Sequence, residues 1–376
     1  MSELAIISAD SHSNEPEEIY DRLPAEYRAR APHEEVIDGK RYLVYDGQRP
    51  SPMEAPHPLN EDDMRRYWRD GEALGRVQHR EGGTHIPTRL ADQEEDGVIA
   101  EVVYPQAVFK LFASPDPGYQ LALAQLYNDW HHEIFGGHPD KFVVSAQVPV
   151  IDIEDGISEA SRAAKLGYRS FSLPVSMPLV PYNMPEYDPF WAATAELGVP
   201  VAFHVFSGGP KGSAPSREPS DAKPGSDQLG QVLGMTEAMY PMVQLIASGA
   251  CARHPDLKFV LAEAGIGWIP WLLVQMDDNH HRRHMWEVPQ LEMLPSEYFK
   301  RQGHSTFSDD IVGIITREIA GVESLMWGSD YPHDEGTFPH SREVIERMFD
   351  GIPGEDKAKI VAGNAARLYG FPTNGK

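Results

Sequence analysis

Five residues of this chain, with His333 close behind the last of them, have the types and the placement to build a metal centre. Asp10 and His12 follow the apolar run Ile6-Ile7-Ser8-Ala9, and His204 closes Val201-Ala202-Phe203. Glu263 follows Phe259 to Ala262, and Asp330 and His333 follow Trp327-Gly328-Ser329. Residues two apart on a strand face the same side, so Asp10 and His12 can point into one mouth together. A lone Asp-x-His pair carries little weight, because such pairs recur by chance. Five metal-competent residues, each at the end of an apolar run, carry much more. Cys251 is the only cysteine, so a thiolate cluster is excluded and any metal must be held by imidazole and carboxylate. His304 opens another run, at 305–308, and faces either the mouth or the base. His333 is placed to meet metal, substrate or a carboxylate.

Elements that bring such distant residues together must repeat. Strand-like runs fall at 4–9, 99–104, 142–148, 170–175, 199–206, 258–262, 305–308 and 324–328, with helical stretches between them. Parallel strands need crossover helices, so the order predicts an α/β fold, a (β/α)8 TIM-type barrel closing its first strand against its last. Ligands at strand ends then share the C-terminal rim, which makes the chain an enzyme. Helices are predicted at 153–166 and 185–197, stopped by Gly167 and Gly198. The whole of 1–376 reads as one domain. The long first connection holds an inserted cap at 33–84, whose Asp38-Gly39 and Asp46-Gly47 pairs and prolines read as a small hairpin, then loop and a short helix at 62–75. A Gly/Pro/Ser-rich loop at 207–228 follows the fifth strand and reads as a lid.

The formal net charge of −24 argues against a nucleic-acid partner. Apolar runs fall far short of the ~20 residues of a membrane span, and the N-terminus lacks signal-peptide features. A cytoplasmic location is expected, with a homodimer as the default assembly. Phe109, Leu111, Phe112, Met177, Leu179, Val180, Tyr182, Met184, Met235, Met239, Tyr240, Met242 and Trp268 fall in rim segments, and if they line the mouth the substrate is a bulky apolar small molecule.

The motifs Ser8-Ala9-Asp10-Ser11-His12 with Glu15-Pro16, Val201-Ala202-Phe203-His204, Glu263-Ala264-Gly265-Ile266-Gly267-Trp268, Trp327-Gly328-Ser329-Asp330-Tyr331-Pro332 and Gly363-Asn364-Ala365-Ala366-Arg367 span nearly the whole chain. Through them it resembles the amidohydrolase superfamily, in the branch related to aminocarboxymuconate semialdehyde and resorcylate decarboxylases. The resemblance implies a metal in the mouth held from strands one, five and eight, with a functional residue from strand six. Three departures stand out. Strand one has Asp10-x-His12 in place of the usual His-x-His, strand four offers Leu173-Pro174 in place of a bridging Lys or carboxylate, and strand six has Glu263 where the decarboxylases use His. The resulting ligand set, Asp10, His12, His204, Glu263 and Asp330, is rich in carboxylate, and such a set can neutralise two ions. The superfamily barrel also hosts a dinuclear non-haem iron monooxygenase. The expectation is therefore an O2-dependent hydroxylase with two Fe ions, Glu263 ligating the second. The alternative is a metal-dependent hydrolase or non-oxidative decarboxylase with one Zn or Mn, where Glu263, with His333 or His304, serves the chemical step.

Overall fold

The first strand enters the barrel with an extra residue, and that residue decides which side chains reach the mouth. The computed structural model describes residues 4–46, 50–52, 81–106, 108–176, 180–208, 230, 232–333 and 336–372. Its strands are β1 (Ile7–Ser13), β2 (His33–Ile37), β3 (Lys40–Val44), β4 (Ser51–Pro52), β5 (Ala100–Pro105), β6 (Phe142–Val144), β7 (Ala146–Gln147), β8 (Phe171–Ser176), β9 (Val201–Gly208), β10 (Phe259–Ala262), β11 (Gly303–Phe307) and β12 (Leu325–Trp327). Opposite β5, Ser8 pairs with Glu101 but Ser11 with Val103, so three steps on β1 match two on its partner. Strict alternation would put Ile7 and His12 on opposite faces. The bulge puts both inside, Ile7 across from Ala100 and His12 across from Tyr104.

The barrel is a (β/α)8 arrangement of parallel strands. One sheet runs β1-β5-β6 and the other β12-β11-β10-β9-β8-β7, all parallel. The two join at Ser145, whose N–H donates to Val103 O on one side while Ala146 N–H donates to Ser170 O on the other. The opposite seam lies between the first and last strands. There His12 N–H donates to Tyr331 O (2.5 Å), Asp330 N–H to Asp10 O (2.9 Å) and Ser329 N–H to Ser8 Oγ (2.8 Å). Gly328 belongs to this seam, since a Cβ there would meet Asp10 Cβ at 2.5 Å.

Small and medium side chains fill the barrel interior: Ile7, Ala9, Ala100, Val102, Ala202, Val260, Ala262 and Met326. The helix Asn364–Tyr369 closes the base, its Ala365, Ala366 and Tyr369 packing into the same cluster. Asn364 anchors it by donating to Val322 O and Leu325 O. A larger apolar layer lies between strands and helices, around Phe171, Phe203, Phe259, Leu261 and Trp327. Among those helices, Ile153–Lys165 starts where Asp152 accepts from Glu154 N and Asp155 N, and Asp188–Leu197 ends at Gly198 with φ 66°.

Only part of the long first connection is described. β2 and β3 form a hairpin whose turn residues, Asp38 and Gly39, have φ of 51° and 79°, as a two-residue type I′ turn demands. Arg30 pairs with Asp46 (2.8 Å) and with Asp116 (2.7 Å), the N-cap of helix Pro117–Phe135. That fastens the hairpin beside the segment that follows β5. The helix expected at 62–75 and nearly all of the loop expected at 207–228 lie outside the described residues. Among the described residues no helix is long and apolar enough to cross a membrane.

Candidate metal centre

Four of the expected ligands meet at the C-terminal mouth. His12 Nε2 lies 3.3 Å from Asp330 Oδ1 and 3.9 Å from Asp10 Oδ1, and His204 Nε2 lies 3.5 Å from the same Asp10 oxygen. Their side chains are 1–5% exposed. Glu263 Oε2 is 3.5 Å from His204 Nε2 on the far side, and His333 stacks on His12 with ring centres 4.1 Å apart.

Backbone geometry aims these groups. His12 Nδ1 donates to Pro105 O (3.2 Å) and His204 Nδ1 to Val205 O (2.9 Å), so in the neutral rings Nε2 carries the lone pair that faces the carboxylates. Glu263 and Asp330 both sit in the left-handed region, at φ 55° and 58°. A non-glycine residue is costly there, and both occur where a strand ends at the mouth and must turn a carboxylate inward.

The electrostatics suit a cation. Burial lowers His12 to about 4, helped by the adjacent His333 and His204 and opposed by Asp330, so it is neutral near pH 7. Burial alone would raise Asp330, but the His333 and His12 imidazoles outweigh it and hold the carboxyl well below the usual range. Asp10 Oδ2 accepts from Thr306, whereas its buried Oδ1 receives no hydrogen bond among the described residues. A carboxylate oxygen buried beside imidazole nitrogen and further carboxylates is a donor set that a divalent cation fits. Asp10, His12 and His204 form one such group, and His12, Glu263, Asp330 and His333 an overlapping one, each with candidate ligand atoms within 4.8 Å of one another.

Other residues fall elsewhere. His304 is the second residue of β11, paired with Val260 near the base of the barrel. Burial lowers it to about 4, and Lys258 and Arg367 act in the same direction, so it is not part of the mouth. Leu111, Phe112, Tyr182 and Met242 belong to the core, and Tyr240 is 66% exposed. Met177 and Leu179, and the side chain of Phe109, lie outside what is described. Glu15 accepts from Ser13 Oγ and from the Gln106 N–H and lies 3.7 Å from His131 Nε2.

Three residues of the mouth escaped the sequence reading. Thr306 bridges Asp10 and Glu263. Gln106 holds His333 Nε2 at 2.5 Å while Asp330 holds its Nδ1 at 2.8 Å. Arg89, fully buried, pairs with Glu101 (2.6 Å) and donates to His12 O (2.7 Å). A hydroxyl, an amide and an arginine without a spacing signature gave no signal of their own. Glu101, buried in mid-strand, did require a partner.

Known proteins bear on the reaction. The chain is similar to the gamma-resorcylate decarboxylase of Rhizobium sp. strain MTP-10005, with 26% identity over 326 residues that cover 81% of this chain and 90% of that one. Its fold matches an amidohydrolase from Mycobacterium avium subsp. paratuberculosis K-10, with a TM-score of 0.79, 22% identity, and 98% and 100% of the two chains covered. It also matches a dihydroxybenzoic acid decarboxylase from Polaromonas sp. JS666, solved with manganese and the inhibitor 2-nitroresorcinol, with a TM-score of 0.63, 19% identity, and 98% and 97% covered.

These findings overturn the expectation of an O2-dependent monooxygenase with two Fe ions, and with it O2 as a partner. Relatives named as decarboxylases favour the decarboxylase side of the alternative reading, and the donor set fits a divalent metal. The number of carboxylates suggested charge for two ions, but part of that charge already meets partners within the protein: Asp10 Oδ2 accepts from Thr306 and Asp330 Oδ1 faces both His12 and His333. The family model described as Amidohydrolase matches residues 90–371, and the chain belongs to that family, in the amidohydrolase-2 branch.

Proposed function

We propose that the chain is a divalent-metal-dependent, non-oxidative decarboxylase of a small aromatic carboxylic acid. The observation that carries the reading is a division within the mouth. Asp10, His12, His204 and Asp330 are 1–5% exposed, whereas Glu263 and His333 are 16% and 18% exposed at its edge. The buried four would hold one cation, and the two at the edge remain within reach of a substrate. The oxygen-rich set suits Mn at least as well as Zn, in keeping with the manganese of the Polaromonas enzyme. A bound ion would supply a positive centre for the substrate's anionic oxygens.

The chain's own groups supply the rest. Loss of CO2 breaks one C–C bond and leaves its electron pair on the ring carbon, which then takes a proton, so no oxidant is required. Glu263 is the group proposed to carry that proton. His333, fixed between Asp330 and Gln106, is proposed to orient the substrate beside the cation. The inserted segment, anchored through Arg30 to Asp116 in the segment that follows β5, is proposed to cap this side of the mouth.

The test uses the purified protein, stripped of metal and reloaded with Mn(II) or Zn(II), with a panel of hydroxybenzoic acids under nitrogen. The expected outcome is CO2 released in equal amount to the decarboxylated arene, with one metal per chain and no change when air is admitted. Absence of CO2 from every acid in the metal-loaded protein would overturn the reading.

A further inference from the structure

Thr306 stands two residues beyond His304 on β11, the right distance for the same face of the strand, and its hydroxyl touches both halves of the mouth. Oγ1 lies 2.7 Å from Asp10 Oδ2 and 2.7 Å from the Glu263 backbone nitrogen. The direction of both bonds is fixed. The Glu263 N–H can only donate, so Oγ1 accepts there and its single proton goes to the Asp10 carboxylate.

Two consequences follow from that one hydroxyl. Engaging Asp10 Oδ2 leaves Oδ1 as the oxygen that faces the imidazoles, 3.5 Å from His204 Nε2 and 3.9 Å from His12 Nε2. On the other side, the register of β10 with β11 ends at Leu261 opposite Ser305. The Glu263 N–H beyond it bonds to a side chain instead of a ladder carbonyl. That bond holds Glu263 at φ 55°, the turn that brings its carboxylate to 3.5 Å from His204 Nε2.

We infer that Thr306 is a positioning residue, which sets the Asp10 oxygen offered to a divalent cation and fixes Glu263 beside the same cation. The metal part rests on the donor set, and only the Glu263 part rests on the proposed decarboxylation. Partners of this kind behind a metal ligand typically change affinity or activity by ~10- to 100-fold when removed.

The experiment compares Thr306→Val, which keeps the shape and loses both bonds, with Thr306→Ser, which keeps the hydroxyl. Mn(II) affinity is measured by competition with a chelating dye, without substrate, and turnover is measured separately. The expected result is Mn(II) bound ~10-fold or more weakly by the valine variant and restored by serine. kcat should fall by a similar factor even at saturating Mn(II), because Glu263 is no longer held. Should the valine variant fail to fold by circular dichroism, Thr306→Ala takes its place. In an Asp10→Ala background the valine change should cost no further affinity, since it acts through Asp10. Wild-type Mn(II) affinity in folded Thr306→Val, or an undiminished loss in the Asp10→Ala background, would overturn the inference. Wild-type protein that binds Mn(II) but releases no CO2 would instead overturn the proposed reaction and leave the affinity arm of the test intact.

Discussion

The two ends of the barrel hold the same residue type in opposite settings. At the mouth, His12 and His204 are buried with three carboxylates 3.3–3.9 Å from their Nε2 atoms. At the base, His304 is buried too, but Lys258 and Arg367 are the charged groups that act on it. Burial lowers His12 and His304 alike, so burial alone does not mark a metal ligand. What distinguishes the mouth is the carboxylates, and these arrive because β1, β10 and β12 each depart from regular strand geometry there. β1 carries a bulge, and Glu263 and Asp330 take left-handed φ. The base needs no such departures, because apolar side chains and the helix Asn364–Tyr369 fill it.

The sharpest way to break this contrast is to exchange histidines for apolar groups at each end. His204→Ala should lose bound metal, and activity should fall by far more than the ~100-fold associated with a group behind a ligand, while the circular dichroism spectrum stays that of a folded barrel. His304→Leu should leave Mn(II) affinity within about twofold, since changes at separate sites act independently. Metal analysis and dye competition on the two variants measure both outcomes. Loss of metal in His304→Leu, or retention in His204→Ala, would invert the assignment of the two ends.

Next in size is Glu263→Gln. With Asp10, His12, His204 and Asp330 as the buried holders, this change should leave the metal count at one per chain and lower kcat by ~10²- to 10⁴-fold, the range of a general acid or base. A fall in metal content would show that Glu263 is itself a ligand and would blur the distinction between the buried and the open members of the mouth.

Much of this mouth was legible in the residues. Apolar runs ending in Asp10, His12, His204 and Asp330 gave the barrel order and the residues that converge, because strand period and crossover helices leave few other arrangements. A hairpin in the first connection was legible from its Asp-Gly pairs, since a two-residue turn favours these residue types, but which of Asp38-Gly39 and Asp46-Gly47 makes the turn was not. The bulge in β1 was not, because one inserted residue changes the facing without changing composition. Thr306 and Gln106 were hidden as well: a threonine in a strand and a glutamine in a loop look alike whether or not they hold a ligand. The place of His304 depended on a single step, whether the run began before or after it. The reaction escaped for a different reason. Carboxylate-rich metal sites on one fold support several chemistries, and the residues that bind a cation do not name what it acts on.

The smallest expected effect concerns His304 alone and tests whether it is neutral in the fold. Its ordinary value near 6.5 is lowered to about 4, first by burial and then by Lys258 and Arg367. Between those two values the unfolded chain binds a proton that the folded chain refuses, so stability is fully present above pH 6.5 and lost as the pH falls toward 4. For one such residue the loss between pH 7 and pH 5 is on the order of 2 kcal/mol. His12 and His131, lowered to about 4 and about 3, shift stability in the same direction, so the wild type by itself cannot isolate the effect. His304→Leu removes one proton site and leaves the others, and urea unfolding in the presence of a chelator at pH 7 and pH 5 compares it with the wild type. The variant should lose less stability on acidification, by about that amount. Equal losses in the two proteins would mean that His304 takes up its proton inside the barrel despite Lys258 and Arg367, and the base would then hold a charged histidine where the mouth holds a neutral one.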